Sequence, residues 1–231
     1  MTTLIIATRN AHKVEEIRGI LGAQFQFLTL RDFPNAPAVI EDADTFAGNS
    51  TKKAWELARW LASQPATFNL QPSTAFVLAD DSGLEVDALH GVPGVHSARF
   101  AALDTGVEGN SPDAENNAKL MRLLRDVPEG KRTARFHCVI ALTPIIGDAS
   151  ASASPVCAAD ERELRTELFD GACEGRIAFV PGGAGGFGYD PLFLPEGFVQ
   201  SFAELGEEVK NRISHRARAL EKLRGWFEKN A

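Results

Sequence analysis

Apolar residues fall along this chain in two rhythms. Short unbroken apolar runs at 4–7 and 75–79 read as buried strands, because a strand covered on both faces shows no polar alternation, and 25–30 reads as another strand. Between them Val14, Ile17, Ile20 and Leu21 recur at helical spacing. A longer helix is predicted from Thr45 to Leu61, with Phe46, Ala54, Leu57, Ala58 and Leu61 facing the core. Further helices are predicted over 115–124 and from Ser214 to about 229. Phe136, Cys138, Ile140 and Leu142 recur at every second position, so 135–142 is predicted as a strand, with strand neighbours at 164–169 and 172–179. Strands and helices mixed in this way predict an α/β class with a mixed sheet. Two stretches, near 63–74 and 146–156, are rich in turn formers or low in complexity, and read as loops inserted into one domain spanning 1–231.

Composition narrows the partners. The 231 residues suffice for a substantial core. With 24 Lys+Arg against 31 Asp+Glu the net charge is −7, which argues against a nucleic acid polymer as partner. A locally basic site for a small anion stays open. No apolar run approaches the roughly 20 residues that span a bilayer, and no leader pattern is visible, so no membrane partner is expected and the expected location is cytoplasmic. Cys138, Cys157 and Cys173 form no paired framework, which suits three inert thiols in a reducing compartment.

Five segments could carry chemistry. Thr8-Arg9-Asn10-Ala11-His12-Lys13 joins a strand to a helix, where backbone N–H groups, hydroxyls and the helix dipole favour phosphate; an ordinary Asn N-cap is the alternative. Asp80-Asp81-Ser82-Gly83 follows the strand at 75–79, and adjacent acids there suit a hard cation and proton transfer, or else an acidic turn with Gly83 at positive φ. Glu41-Asp42-Ala43-Asp44 precedes the long helix, in which Asn49 and Lys53 share a face. The glycine run from Gly182 to Gly188 brings Phe187, Tyr189 and Asp190 together, and its backbone permits close approach to a flat ligand; a hairpin with core aromatics is the alternative. Lys210, His215 and Arg216 concentrate positive charge around Ser214, where an acceptor-rich ligand would make sense of it.

Their order along the chain is more specific than any one of them. Thr8-x-Asn10-x-x-Lys13, Glu41, Thr45-Phe46, Asn49-x-x-x-Lys53-Ala54, the run from Ala79 to Leu89, Gly91-Val92-Pro93-Gly94-Val95, Ser97-Ala98-Arg99-Phe100, Gly185 to Pro191 and Ile213-Ser214-His215-Arg216 follow one another. This series resembles the inosine/xanthosine triphosphate pyrophosphatase family over nearly the whole chain. The resemblance implies an elongated, two-lobed α/β domain with a central mixed sheet flanked by helices, a substrate cleft between the lobes, and a homodimer. It implies Mg²⁺-dependent hydrolysis of ITP, dITP and XTP to the monophosphate and pyrophosphate, which keeps these purine nucleoside triphosphates out of DNA and RNA. Carried over, Thr8, Asn10 and Lys13 hold the triphosphate with Asn49 and Lys53 assisting. Glu41 and Asp81 hold the metal with Asp80 close by, and Asp81 also accepts the proton of the attacking water. Ser82 touches the substrate, Phe187 stacks on the base, Gly188, Tyr189 and Asp190 surround its edge, and Lys210, His215 and Arg216 close the site. Two positions depart from the family pattern: Arg9 stands where many relatives have Gly, and Gly48 where many have Glu. A nucleotide sensor without turnover is the alternative from another class, and an Asp-nucleophile phosphatase the alternative among enzymes.

Overall fold

The structure, a computed structural model, describes residues 1–64, 74–106, 108–145 and 165–230. The predicted loop at 146–156, most of that near 63–74, and Cys157 lie outside the described residues. Six strands form one sheet in the order β2-β1-β3-β4-β5-β6: β1 Thr3–Ile6, β2 Gln26–Thr29, β3 Ala75–Val86, β4 Thr133–Pro144, β5 Glu167–Ile177 and β6 Phe193–Pro195. β1 pairs parallel with both β2 and β3, whereas β5 and β6 are antiparallel, so the sheet is mixed. Helices α1 Ala11–Leu21, α2 Phe46–Ala62, α3 Asp113–Leu123, α4 Phe202–Ile213 and α5 His215–Asn230 flank it.

The chain divides into two compact units. Unit 1 comprises 1–81, 139–169 and 223–231, and unit 2 comprises 82–138 and 170–222. Each has its own core, because each folds a separate set of apolar stripes inward. In unit 1, Ala54, Leu57, Ala58 and Leu61 of α2 pack with Ile5, Val77 and Ala79 of the parallel strands, as the helical spacing predicts. In unit 2, Leu84, Phe100, Leu120, Phe193 and Phe202 gather around Phe136, whose ring lies 4.7 Å from that of Phe193. Burying each such side chain contributes about 2 kcal/mol.

Two expectations are corrected. The strand predicted at 75–79 continues through the acidic pair to Val86, so Asp80 and Asp81 lie inside β3, and Gly83 is not at positive φ. What ends near the acids is the pairing with β1, whose register stops at Ile6 opposite Leu78. The strands predicted at 164–169 and 172–179, of which residue 164 lies outside the described residues, are one strand, β5, that runs through Gly171; glycine there admits the close approach of α5, since a Cβ would meet the His215 carbonyl oxygen at 2.2 Å. One helix was not predicted at all: the segment before Ser214 is helical, with a break at Gly206. α4 opens with a reciprocal cap in which Ser201 Oγ accepts from Glu204 N and Glu204 Oε2 accepts from Ser201 N.

Candidate active site

In unit 1, local capping and long-range charge pairing build one polar centre. Asn10 ends the β1–α1 connection and caps α1, its Oδ1 accepting from the N–H groups of His12 at 3.0 Å and Lys13 at 3.3 Å. Thr8 Oγ1 in turn accepts from Asn10 N at 3.2 Å. That cap starts the helix so that Lys13, in its first turn, reaches Asp80 Oδ1 and pairs with it. On α2, capped by Thr45 through Gly48 N, Asn49 and Lys53 lie one turn apart and both face Asp81. Asn49 Nδ2 donates to Asp81 Oδ2 at 3.1 Å, and Lys53 Nζ lies 3.2 Å from Asp81 Oδ1, 3.2 Å from Glu41 Oε2 and 2.8 Å from the Asp80 carbonyl oxygen. The eight residues predicted for phosphate and metal are therefore brought together, apart from any ligand.

Three carboxylates thus face two ammonium groups in a largely buried place. Burial lifts the pKa of Asp81 above the ordinary carboxylate value; Glu41 adds to this, while Lys53, Lys13 and the Asn49 hydrogen bond pull against it. Burial works against the Lys53 ammonium, yet Asp81, Glu41 and Asp80 hold its pKa above the ordinary lysine value. The Lys53 ammonium bridges Glu41 and Asp81, so these two carboxylates converge on one cationic group and are the oxygen donors a hard cation would use. Among the described residues no group of three or more His, Cys, Asp or Glu side chains is arranged as a metal cage. Mg²⁺ needs none, since it binds through one or two carboxylates and keeps its other positions for water and phosphate.

Unit 2 carries the remaining predicted residues. Gly186, at φ 72°, lets the glycine run fold over the Asp190 carboxylate; a Cβ there would meet Asp190 Oδ2 at 2.2 Å. Asp190 is buried and its Oδ2 accepts from Phe187 N at 2.9 Å and from Lys210 Nζ at 2.6 Å. The same ammonium sits 4.4 Å from the centre of the half-buried Phe187 ring, a cation–π contact. Arg216 Nη2 donates to Ser82 Oγ at 3.0 Å. His215 stacks on Phe136 with ring centres 4.8 Å apart. Tyr189 is buried, and its hydroxyl donates to the Ser97 carbonyl oxygen at 2.9 Å. Burial raises its pKa, so the phenol stays protonated and serves as a strut beneath the loop.

Two residues of α3 bond to the glycine run and were not singled out from the sequence. Asp113 Oδ2 accepts from Gly188 N at 2.6 Å, and Asn117 Nδ2 donates to the Gly188 carbonyl oxygen at 3.0 Å. Their spacing of four on one helix was a usable signal, as was the Asn116-Asn117 pair, since Asn is a weak helix former and two in a helix interior suggest side-chain duties. Asn116 has one: its Oδ1 accepts from Ala101 N at 2.8 Å.

The fold and these clusters define an α/β protein with a buried carboxylate–lysine centre and a glycine loop that presents an aromatic ring. The chain belongs to the Ham1 family, whose model matches residues 4–226. Among curated relatives, the dITP/XTP pyrophosphatase of Desulforamulus reducens is 44% identical, covering 95% of this chain and 92% of that one. The dITP/XTP pyrophosphatase of Geobacter sulfurreducens is 43% identical, covering 98% of both chains. Among solved structures, a HAM1 protein from Coxiella burnetii superposes with a TM-score of 0.76 at 33% identity, covering 99% of this chain and 100% of that one.

Proposed function

We propose that this protein hydrolyses deaminated purine nucleoside triphosphates, dITP, ITP and XTP, to the monophosphate and pyrophosphate. The observation that carries the reading is the Lys53 ammonium shared by Glu41 and Asp81, 3.2 Å from each, beside the Lys13–Asp80 pair. Such a centre suits anhydride hydrolysis, which needs an activated water and compensation of the charge on the leaving group but no covalent nucleophile.

Asp81 is the proton acceptor: its raised pKa brings it nearer to the working pH while Asn49 orients it. Glu41 and Asp81 would hold Mg²⁺. When bound, the metal would screen the phosphate oxygens and acidify a coordinated water. Lys13 and Lys53, with the Thr8–Asn10 cap, bind the triphosphate and compensate the pyrophosphate as it leaves. In unit 2, Phe187 stacks on the base, with Gly188 at its edge. Asp190 and Lys210 supply an acceptor and a donor suited to the N1–H and O6 of a 6-oxo purine, with Ser82, His215 and Arg216 completing the site. Adenine, with an amino group at C6 and a bare N1, matches neither group, and sites built on such matching reject a wrong substrate by about 10⁴-fold or more.

The 1–231 chain is read as one catalytic domain, working as a homodimer on small nucleotides rather than on a nucleic acid polymer or a membrane. Among the described residues no helix is long and apolar enough to cross a bilayer. Cys138 and Cys173 are buried cysteines outside any disulfide, and burial pushes the Cys173 pKa up to about 11, which agrees with a cytoplasmic setting.

The test is pyrophosphate release from dITP, ITP, XTP and ATP with Mg²⁺. Release from the first three and little from ATP is expected. Orthophosphate as the first product would point to a phosphatase instead. Asp81→Asn should abolish turnover and retain nucleotide binding; equal inactivity of wild type and variant, with binding intact in both, would favour a sensor.

A further inference from the structure

We propose that Asp113 and Asn117 are positioning residues of the base subsite, an inference that rests on the hydrolytic reading above. They grip both polar groups of one residue: the Gly188 N–H donates to Asp113 Oδ2 at 2.6 Å and its carbonyl oxygen accepts from Asn117 Nδ2 at 3.0 Å. Gly188 adopts φ 63° and follows Phe187 directly, so the orientation of its peptides sets the path of the chain on which the Phe187 ring is carried. The loop needs such a grip, because glycine is the residue with most conformational freedom to lose and this run contains five of them. On one side the run is held by the buried Asp190 carboxylate, which accepts from Phe187 N. On the other, nothing in the run itself can fix the Gly188 backbone, and the first turns of α3 supply both partners.

The arrangement is built rather than incidental. Asp113 and Asn117 are one helical turn apart and share a face. α3 is itself anchored within unit 2: Asn116 holds the Ala101 backbone, and the buried Lys119 donates to the Phe100 carbonyl oxygen at 2.6 Å. A rigid helix thus fixes a loop that composition alone would leave loose. With the grip removed, Phe187 samples more orientations and a base must order it on binding, so recognition weakens while the proton transfer and phosphate contacts assigned to unit 1 are untouched.

The experiment compares wild type with Asp113→Ala, Asp113→Asn and Asn117→Ala in steady-state hydrolysis of dITP. Inhibition by inorganic tripolyphosphate, which has no base, is measured in parallel. KM for dITP is expected to rise about tenfold in each alanine variant, the effect of losing one strong hydrogen bond. kcat should fall less than twofold, and inhibition by tripolyphosphate should stay at the wild-type value. Asp113→Asn keeps an acceptor for Gly188 N–H and should recover most of the loss. Were Asp113 merely a favourable charge at a helix start, Asp113→Asn would behave as Asp113→Ala, and the proposal would fail. It would also fail if tripolyphosphate inhibition weakened in step with KM, or if kcat fell while KM held. Wild type unable to release pyrophosphate from dITP would overturn the hydrolytic reading and this proposal together; an active wild type with unchanged KM in the alanine variants overturns this proposal alone.

Discussion

Asn49 donates from Nδ2 to Asp81 Oδ2 at 3.1 Å, while its Oδ1 accepts from the backbone N–H of Ala43 at 2.9 Å. One buried amide therefore orients the proposed proton acceptor and, at the same time, anchors the segment that carries Glu41. Both carboxylates assigned to the metal depend on it. Asn49→Ala leaves the Ala43 N–H and one Asp81 oxygen without their partner. Losing a hydrogen bond to a charged group is worth about 1.5–3 kcal/mol, so kcat/KM should fall by about 10- to 100-fold. Mg²⁺ should also be needed at higher concentration. Initial rates across a Mg²⁺ titration check both; an unchanged Mg²⁺ requirement would disconnect Asn49 from the metal.

The raised pKa of Asp81 makes a prediction about pH. If Asp81 must be ionised to accept a proton, kcat rises as pH rises through its pKa, and the acid limb lies above the roughly pH 4 of an ordinary carboxylate. A cation beside Asp81 favours the ionised form, so increasing Mg²⁺ should move that limb to lower pH. Profiles of kcat at low and saturating Mg²⁺ test the sign; a limb that moves upward with Mg²⁺ would exclude Asp81 as the acceptor.

How far the sequence revealed this site depended on how local each signal was. The Asn10 and Thr45 caps, the stripe of α2 and the parallel strands were all readable, because capping and periodicity act over a few residues. The course of β3 through Asp80-Asp81-Ser82-Gly83 was not. Those four residues look like a turn, and they remain extended because their charges are met by Lys13 and Lys53, 67 and 28 residues away. The grip on Gly188 was missed for the same reason, its partners lying 75 and 71 residues distant. The Ser201–Glu204 cap was local and could have announced α4. The Gly182–Gly188 run was legible as a loop open to a flat ligand or a hairpin, but not its anchoring to the Asp190 carboxylate, which accepts from Phe187 N and from the buried Lys210.

Lys53 supplies a stability test. Its pKa is raised in the folded protein, so its contribution is fully present at neutral pH and is lost only as pH rises through that raised value. Lys53→Met removes the ammonium that Glu41 and Asp81 share and that also reaches the Asp80 carbonyl oxygen. Breaking a buried pair from one side costs about 3 kcal/mol, and a loss of that order is expected at pH 7. The deficit should shrink at lower pH, as Asp81 takes up a proton, and should also shrink with added Mg²⁺. Urea denaturation at pH 5 and pH 7, with and without Mg²⁺, reads all of these; a deficit independent of both would mean that Lys53 acts through packing.

Gly48 is held to a residue without a side chain by its neighbours. It lies in the first turn of α2, its N–H donating to Thr45 Oγ1 at 3.0 Å, and a Cβ there would meet Ala43 Cβ at 2.8 Å. Gly48→Ala should gain up to about 1 kcal/mol of helix propensity, yet it must push Ala43 aside, and the Ala43 N–H is what Asn49 Oδ1 holds. Activity should therefore fall several-fold even if the melting temperature does not. Ala43→Gly removes the opposing methyl group, so the double variant should recover most of the activity that Gly48→Ala loses. The two effects are then strongly non-additive, as expected for side chains in contact. A double-mutant cycle on kcat/KM measures the coupling. Additive losses would show that the methyl groups do not collide, and that Gly48 is constrained by something other than the position of Ala43.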